Sequence, residues 1–374
     1  EVYIYLSNFK LKNFRNFESL NIDLNNGINF FVGKNGQGKS NLMEAIYSLS
    51  IGKSFRTSNQ RNLFNKNLDV NEVYVSAMAH QNNNVFDLSI YLKKINETNK
   101  IEKKYIYNSS EVKSADFIGK LNIVFFEAKD LDIIMGSPSY RRRFLDIHIS
   151  QQDISYLKSL QRYNKVLQSR NRLLKDIKIR KSSKIELEYW TEKLIQDGIK
   201  ISKIRNKKLI EISLETLKIF PDLAKNDENI SIKFLSSFPN IEDINEEELI
   251  TLFNDNYAKE ISYGTTILGP HKDDFEVKIN NKISSEFSSR GQIRTATLSL
   301  KLGEANSLKK SLSDTPVIVL DDILSELDFE RRKTVVNFIK EYDQIFLTSP
   351  DEALLKSIVS GDDKIFDINK GVLT

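Results

Sequence analysis

The chain has 374 residues, of which 40% are hydrophobic and 28% charged, and its formal net charge is only +4. This size and hydrophobic content predict a globular protein of one or two domains. The chain has no Cys, which excludes disulfides and thiolate metal sites, and its three His leave little material for a zinc centre. No apolar run approaches the roughly 20 residues of a membrane-spanning helix, and the first residues lack the layout of a secretory signal. We therefore expect a soluble, cytoplasmic protein that does not bind membranes.

The first 120 residues have the pattern of a sheet. Alternating or continuous apolar segments separated by polar turns predict strands at 2–12, 20–24, 28–32, 73–79, 85–92 and 103–107. One helix is expected after Gly38.

The middle of the chain has a different pattern. Between 141 and 219 there is one Gly, Gly198, there is no Pro, and apolar residues recur at helical spacing. This pattern predicts a long helical hairpin that turns near 181–183 and forms an arm. Strands and helices alternate again from 230, with buried strands predicted within 315–322 and 344–349. We therefore predict an α/β head that is split in sequence, with one lobe at 1–125, a helical arm at 126–227 and a second lobe at 228–374.

A glycine-rich loop lies between the apolar segment 28–32 and the first helix. Its sequence, "GKNGQGKS", matches the phosphate-binding pattern G-x-x-x-x-G-K-[ST] in the required strand–loop–helix context, whereas a chance glycine-rich turn would rarely match both. The glycines let backbone N–H groups face the phosphates, the lysine reaches the β- and γ-phosphates, and the serine ligates Mg²⁺. We predict an ATP site made by Gly33, Lys34, Asn35, Gly36, Gln37, Gly38, Lys39, Ser40 and Asn41. Lys39 is also predicted to be catalytic, and Ser40 to bind the metal.

Two adjacent carboxylates, Asp321 and Asp322, end the apolar segment "PVIVL". Successive side chains on an extended backbone diverge, so one carboxylate can hold Mg²⁺ while the next faces the attacking water. We assign Asp321 to the metal, and Asp322 to water orientation or general-base catalysis. An Asp-Asp helix N-cap is the alternative, but the loop upstream favours the nucleotide site.

A second loop, "SSRGQ" at 288–292, begins an apolar-periodic helix. Together with "GKNGQGKS", "VIVLDD" and "SELD" at 325–328, it resembles the motifs of ABC-type ATPases, in which two heads hold the nucleotide between them. The segments "GKSFRT" at 52–57, "GSPSYRRRFLD" at 136–146 and "LGPHKDDFEVKINN" at 268–281 extend the resemblance to the RecF family of SMC-related ATPases.

The resemblance implies a homodimer that forms with ATP. The residues placed at the partner's γ-phosphate are Ser289, Arg290, Gly291 and Gln292. Asp328 would lie in the loop that crosses between heads, and Thr348 stands where many ABC ATPases have a switch His. Because a hydroxyl cannot replace imidazole as an acid or base, we expect slow hydrolysis. The resemblance also implies that the protein acts with RecO and RecR to load RecA on single-stranded DNA at gaps.

The predicted arm is strongly basic, with ten Lys or Arg and one Asp between 158 and 184. A row of cations on an exposed helix suits the phosphate backbone of double-stranded or gapped DNA without reading its sequence, although a solvated helix face is the plain alternative. The predicted DNA contacts are Arg162, Lys165, Arg170, Arg172 and Lys175.

Two further features, and the overall function, leave alternatives open. The arginines at 141–143 either contact nucleotide or DNA or form salt bridges within the head. His271 could join Asp273 and Asp274 in a metal cluster, but we favour a role in stabilising a turn. A metabolic P-loop kinase, with "YRRRF" as a lid over the acceptor, is the alternative function, although about 280 residues separate Lys39 from Asp321, unlike in a small kinase. The nucleotide subunit of a transporter is a third.

Overall fold

The computed structural model describes residues 4–82, 84–95, 100–224, 228–312, 315–351, 358 and 363–373. Their contacts divide the chain into two compact units. The first unit comprises Glu1–Asp130 and Glu304–Thr374, and the second unit comprises Leu131–Gly303. The predicted boundaries after 125 and 227 do not coincide with this division, because residues 228–303 pack with the helical hairpin.

The first unit contains two six-stranded sheets. One is antiparallel, with the order β2-β1-β4-β5-β6-β7, and the other is parallel except at β15, with the order β15-β14-β3-β13-β12-β8. The strands are β1 (Ile4–Phe14), β2 (Phe17–Asp23), β3 (Gly27–Val32), β4 (Glu72–Gln81), β5 (Asn84–Ile95), β6 (Lys100–Tyr107), β7 (Ser110–Val112), β8 (Ile123–Phe126), β12 (Val317–Asp321), β13 (Gln344–Ser349), β14 (Lys364–Asn369) and β15 (Val372–Leu373).

Helix α1 (Lys39–Ile51) is almost entirely buried, because it contacts β4 and β5 of the antiparallel sheet and β8, β12 and β13 of the parallel sheet. Two other helices of this unit are α2 (Ser114–Phe117) and α11 (Phe329–Ile339). The buried Gln344 joins the two sheets, since its side-chain amide exchanges 2.8 Å hydrogen bonds with the backbone N–H and C=O of Leu6.

The second unit is mainly helical. Its helices are α3 (Asp132–Met135), α4 (Pro138–Ser150), α5 (Ile154–Lys178), α6 (Lys184–Leu223), α7 (Glu246–Asp255), α8 (Tyr257–Tyr263), α9 (Ser284–Phe287) and α10 (Arg290–Leu312), which continues into the first unit. A three-stranded antiparallel sheet contains β9 (Ile230–Leu235), β10 (Asp274–Ile279) and β11 (Lys282–Ile283).

The predicted helical hairpin is confirmed as α5 and α6, and its turn falls at 179–183. Helix α6 has 40 residues, which corresponds to roughly 60 Å at 1.5 Å per residue. The hairpin does not stand alone, because its buried side chains share one core with α4, α7, β9, β10 and the start of α10. Among the described helices, none combines the length and apolar character needed to cross a bilayer.

Candidate nucleotide site

The glycine-rich loop connects β3 to α1, as the motif requires. Gly36 and Gly38 have φ of 82° and 120°, which other residues rarely adopt. A Cβ on Gly38 would also lie 2.5 Å from Asn16 Nδ2, and one on Gly33 would collide with the carbonyl oxygen of Ile368. The loop is therefore held both by its own conformation and by the surrounding chain.

Lys39 stands at the first position of α1 and is buried. Its Nζ donates to the carbonyl oxygen of Gly33 at 2.7 Å and lies 3.8 Å from Asp322 Oδ2. The ammonium group thus lies between the phosphate loop and the carboxylate pair, where a phosphate would meet positive charge.

The order of the parallel strands brings the two predicted motifs together. Strand β13 lies between β3 and β12, with Thr348 paired in register to Phe31 on one side and to Asp321 on the other. Because parallel strands end at the same edge, the loop after β3 and the carboxylates after β12 meet at that edge. Asp322 has φ 56°, a left-handed conformation that begins the turn after β12.

Thr348 forms hydrogen bonds with the turn that carries Asp321 and Asp322. Its hydroxyl donates to Asp321 Oδ1 at 2.8 Å and accepts the backbone N–H of Asp322 at 2.8 Å. Thr348 is 3% exposed, and its hydroxyl fixes the Asp321–Asp322 turn; its predicted contact with nucleotide stays a prediction.

The chemistry of Ser40 and Asp321 fits Mg²⁺. The two side chains are hydrogen-bonded to each other, and burial raises the pKa of Asp321 while the hydrogen bonds from Ser40 and Thr348 oppose that rise. Within the described ranges no group of three or more His, Cys, Asp or Glu could hold a metal. Mg²⁺ needs no such group, because it is usually bound by one or two protein ligands with phosphate oxygens and water. Ser40 and Asp321 would hold it.

Two neighbouring cavities lie beside the loop and share two lining residues. One, of ≈ 280 Å³, is lined by loop residues with Lys39, Ser40, Asn41, Arg56 and Asp322. The other, of ≈ 560 Å³, shares Asn41 and Arg56 and contains the cations Arg15, Lys66 and Lys129 with the ring of Phe64. A long, phosphate-bearing ligand could extend from the first into the second.

The positions of Arg15 and Arg56 depend on a buried carboxylate. Glu44 of α1 is fully buried and accepts two hydrogen bonds from Arg15, at 2.7 and 2.9 Å, and lies 3.9 Å from Arg56. Ser54 also donates to Glu44, and Asn41 Oδ1 accepts from Arg56 at 2.9 Å. Sequence reasoning did not assign a role to Arg15, Glu44, Ser54 or Arg56. The family segment "GKSFRT" at 52–57 contains Ser54 and Arg56 but neither Arg15 nor Glu44.

Sequence reasoning also did not identify Glu127 as a residue of the site. It follows β8, whose Phe126 pairs in register with Leu320 of β12, so Glu127 lies at the sheet edge that carries Asp321. Burial, with smaller contributions from Asp130 and Asp321, raises the pKa of Glu127 to about 7. A third carboxyl group therefore contributes to the electrostatics of the site.

The second predicted loop starts α10 with a reciprocal cap. The backbone N–H of Ser289 donates to Gln292 Oε1 at 2.7 Å, and the backbone N–H of Gln292 donates to Ser289 Oγ at 3.2 Å. This is a capping box, which satisfies two of the unpaired donors of a helix start. Gln292 also donates to Glu228 at 2.8 Å. A Cβ on Gly291 would meet only Ser289 Oγ, at 3.9 Å, so packing within the described chain does not explain that glycine.

Asp328 caps a different helix. Its carboxylate accepts the backbone N–H of Arg331 at 3.0 Å at the start of α11 and also pairs with the Arg331 side chain.

Arg170 is wrong as a DNA contact. Its side chain is 1% exposed and donates to Glu260 at 2.6 Å, to Thr191 at 3.0 Å and to Thr266 at 2.8 Å. The helical period of α5 turns Arg170 inward, whereas Lys165, Arg172 and Lys175 are exposed. Arg162 is exposed but pairs with Asp197 at 2.6 Å.

Among the open alternatives, Arg141, Arg142 and His271 make contacts that fit structural roles. Arg141 pairs with Asp274 at 2.5 Å, and Arg142 donates to the carbonyl oxygen of Asp273 at 2.9 Å. Both contacts lie within the second unit, which removes support for a kinase lid. His271 donates from Nε2 to the carbonyl oxygen of Thr266 at 3.0 Å, so its Nδ1 accepts from Tyr163 at 2.7 Å. The favoured turn-stabilising role is thus supported.

Comparisons with known proteins agree with this geometry. Residues 5–372 match the family model of the RecF/RecN/SMC N-terminal domain. The chain is similar to the DNA replication and repair protein RecF of Clostridium novyi, with 37% identity over 372 residues that cover 99% of both chains. A solved structure of the recombination mediator protein RecF with ATP is 33% identical, with a TM-score of 0.89 over 100% of this chain and 97% of that chain.

The chain is similar only in fold to an Smc head domain from Pyrococcus furiosus, with 18% identity and a TM-score of 0.56 over 99% of this chain and 95% of that chain. These likenesses confirm the predicted fold class, an α/β ABC-type P-loop ATPase head with an inserted helical arm. The chain belongs to the RecF family of DNA replication and repair proteins.

Proposed function

We propose that the chain is an ATP-dependent, DNA-binding recombination mediator. It binds ATP with Mg²⁺, forms a homodimer in that state, engages double-stranded DNA beside single-stranded gaps, and reopens after slow hydrolysis. With RecO and RecR it promotes the loading of RecA in repair and replication restart. The solved RecF structure with ATP, to which the chain is similar, is that of the recombination mediator of the RecFOR pathway, which supports these partners.

The observation that carries the proposal is the convergence of Lys39, Ser40, Asp321 and Asp322 at one sheet edge. Lys39 neutralises the β- and γ-phosphates, Ser40 and Asp321 hold Mg²⁺, and Asp322 orients the attacking water. Mg²⁺ supplies charge neutralisation at the transferred phosphoryl group. The triphosphate would occupy the cavity at Lys39, and the nucleoside would extend towards Arg15, Phe64 and Lys66.

Slow hydrolysis follows from the side chain at position 348. Thr348 holds the Asp321–Asp322 turn through its hydroxyl but cannot accept or deliver a proton as an imidazole does. Asp322 is then the only group we assign to the water, so ATP cleavage serves timing rather than turnover.

The proposal of a dimer rests on the start of α10. A helix N-terminus favours an anion, and Gly291 leaves space for close approach. We infer that Ser289–Gln292 of one copy contacts the γ-phosphate bound to the other copy. The exposed cations Lys165, Arg172 and Lys175 support DNA binding through the phosphate backbone.

Sedimentation velocity of the full chain, with and without ATP and gapped DNA, tests the proposal. Wild type should change from monomer to dimer with ATP. Ser289→Arg should bind ATP and stay monomeric, whereas the control Ser285→Arg, another exposed serine nearby, should dimerise. An unchanged mass at saturating ATP would contradict the dimer. Phosphate transfer to a small acceptor in place of water would revive the kinase alternative.

A further inference from the structure

The turn between β14 and β15 contacts the glycine-rich loop. Its two central residues, Lys370 and Gly371, have φ of 50° and 80°, and the flanking residues Asn369 and Val372 pair in register. Positive φ at both central positions is typical of the type I′ turn of a two-residue hairpin. This tight turn directs two successive backbone N–H groups at one residue of the loop, Gln37.

Gln37 is held from outside the loop by three hydrogen bonds. The Lys370 N–H donates to Gln37 Oε1 at 2.7 Å, and the Gly371 N–H donates to the carbonyl oxygen of Gln37 at 3.0 Å. Asn16 Nδ2 donates to the same carbonyl oxygen at 3.0 Å. Two segments that are distant in sequence, the β1–β2 turn and the β14–β15 turn, therefore fix the middle of the loop.

The packing around these hydrogen bonds is close. A Cβ at position 371 would collide with the carbonyl oxygen of Asn16, and residues other than glycine rarely adopt a φ of 80°. Asn16 Nδ2 would in turn lie 2.5 Å from a Cβ on Gly38. The turn, Asn16 and the loop therefore leave no space for a further carbon atom at either contact.

The hydrogen bonds continue to residues that line the two cavities. Asn16 Oδ1 accepts from Asn41 Nδ2 at 2.7 Å, and Asn41 Oδ1 accepts from Arg56 at 2.9 Å. Asn41 and Arg56 line both cavities. Because Asn16 contacts both Gln37 and Asn41, the position of the β14–β15 turn is linked to the walls of the nucleotide site.

The free energy of phosphate binding depends on how far the loop is ordered before the ligand arrives. Such a loop binds an anion through backbone N–H groups that point at it, and fixing a flexible backbone costs conformational entropy. That cost is largest for glycine, and Gln37 lies between Gly36 and Gly38. Contacts that hold Gln37 beforehand therefore reduce the entropy loss that accompanies binding.

We propose that Gln37 and the Lys370–Gly371 turn are positioning residues for ATP binding, because the turn holds the loop in its phosphate-binding conformation. This inference rests on the proposed function, since it takes ATP as the ligand from it. It goes further by making ATP affinity depend on a hairpin turn that lies outside both sets of cavity-lining residues.

The first test is the affinity of the full chain for a fluorescent ATP analogue, measured with Mg²⁺ on dilute monomer. Gly371→Ala should bind about tenfold more weakly, because the strained turn loses its hydrogen bonds to Gln37. Phosphate release at saturating ATP should change by no more than about twofold, since the substitution leaves Asp321 and Asp322 in place.

Gly264→Ala is the matched control. Gly264 ends α8 in the second unit with φ 65°, so Ala is similarly strained there. ATP affinity of this variant should stay within about twofold of wild type, because the site of the substitution shares no partner with the loop.

A double-mutant cycle shows whether Gln37 and the turn act through one contact. Gln37→Met keeps the length of the side chain but removes the acceptor of the Lys370 N–H, so it should weaken binding about fivefold. Because Gly371→Ala already breaks that contact, the double variant should bind within about twofold of Gly371→Ala. Full multiplication of the two effects would show that Gln37 and the turn act independently, and the proposal would fail.

Hydrogen exchange of the wild-type chain tests the same contact without a substitution. If the loop released from the turn binds ATP about tenfold more weakly, saturating ATP must make that release about tenfold rarer, because coupling between two sites is reciprocal. Exchange of the Lys370 and Gly371 N–H groups should slow by that factor. The control is the N–H of Asn108 in the β6–β7 turn, which donates to the carbonyl oxygen of Asp87 and should exchange at an unchanged rate.

The outcomes separate this inference from the proposed function. If wild type binds the analogue, and Gly371→Ala and Gln37→Met bind it equally well, the positioning role is refuted and the proposed function stands. If Gly371→Ala does not fold, unchanged exchange at Lys370 and Gly371 of wild type with saturating ATP refutes the role in its place. If wild type does not bind the analogue, the positioning role and the proposed function both fail.

Discussion

Replacing Arg170 by Met should destabilise the second unit strongly. Arg170 joins α5 to three other segments, since its guanidinium donates to Thr191, Thr266 and Glu260 and lies 4.9 Å from the ring centre of Phe253. Met keeps the aliphatic packing but removes all three hydrogen bonds, which leaves the fully buried Glu260 carboxylate with the backbone N–H of Ile267 at 3.0 Å.

The expected loss in the free energy of unfolding is about 3–5 kcal/mol, because removing one partner of a buried ion pair leaves an uncompensated charge. Most of that loss should be regained when Glu260 is also replaced by Leu, because no buried charge is then unpaired. This would be a large part of a typical total stability of about 5–15 kcal/mol.

The assay is urea unfolding followed by tryptophan fluorescence. The chain has one Trp, Trp190, which packs beside Leu173, Leu174 and Leu187 in the hairpin and reports on that region. The matched control is Arg172→Met, whose side chain is exposed on the same helix and should change stability by no more than about 0.5 kcal/mol. The same control should lower DNA affinity and its salt dependence.

A different result would contradict the internal role of Arg170. If the free energy of unfolding of Arg170→Met lies within about 1 kcal/mol of wild type, and this variant loses as much DNA affinity as Arg172→Met, then Arg170 contacts DNA.

The further predictions concern acid stability and the nucleotide site. Burial lowers the pKa of His148 to about 3 and of His271 to about 4. Below pH 6.5 the unfolded chain therefore binds more protons than the folded chain does. The free energy of unfolding should decrease as the pH is lowered, by up to about 1.4 kcal/mol per pH unit for each histidine. Urea unfolding of His148→Gln should show a shallower loss between pH 6 and 5, with pH 8 as the packing control, and an equal slope would contradict the assignment. Lys39→Met should weaken ATP binding about 100-fold. Asp322→Asn should keep ATP binding and slow phosphate release roughly 100-fold or more. Unchanged phosphate release would exclude Asp322 from orienting the water. Thr348→Val should slow hydrolysis about tenfold at unchanged ATP affinity, since it removes the hydrogen bonds of the Thr348 hydroxyl with the Asp321 carboxylate and with the Asp322 N–H. Lost ATP affinity would mean that Thr348 contacts nucleotide.

The residues that form the nucleotide site were largely predictable because their motifs are local. A strand, a glycine loop and a helix specify the conformation around Gly36 and Lys39 over a few residues, and the apolar run before Asp321 specifies a buried strand. The neighbours of the site, Arg15, Glu44, Arg56 and Glu127, come from separate segments. Their meeting depends on sheet order, which no short sequence pattern encodes.

The error at Arg170 has a different origin. We interpreted the charge run 158–184 as one surface, although helical spacing already places Arg170 seven residues after Tyr163 and four before Leu174, both of which are buried. The helical spacing of apolar residues was the better guide to the position of Arg170 than the charge run, because a buried arginine is stable when carboxylate and hydroxyl partners reach it. Those partners, Glu260 and Thr266, lie some 90 residues away in sequence.

The buried Glu44 affects how nucleotide binding should respond to ionic strength. Its charge offsets that of Arg15, with which it forms two hydrogen bonds, and partly that of Arg56. Salt screens buried pairs much less than exposed charges, so Arg15, which pairs with the buried Glu44, should keep its position and field as salt rises. Sensitivity to salt should then come mainly from the exposed cations Arg56, Lys66 and Lys129. Affinity for ATP should therefore fall less between low and physiological salt than four cations around one cavity would suggest.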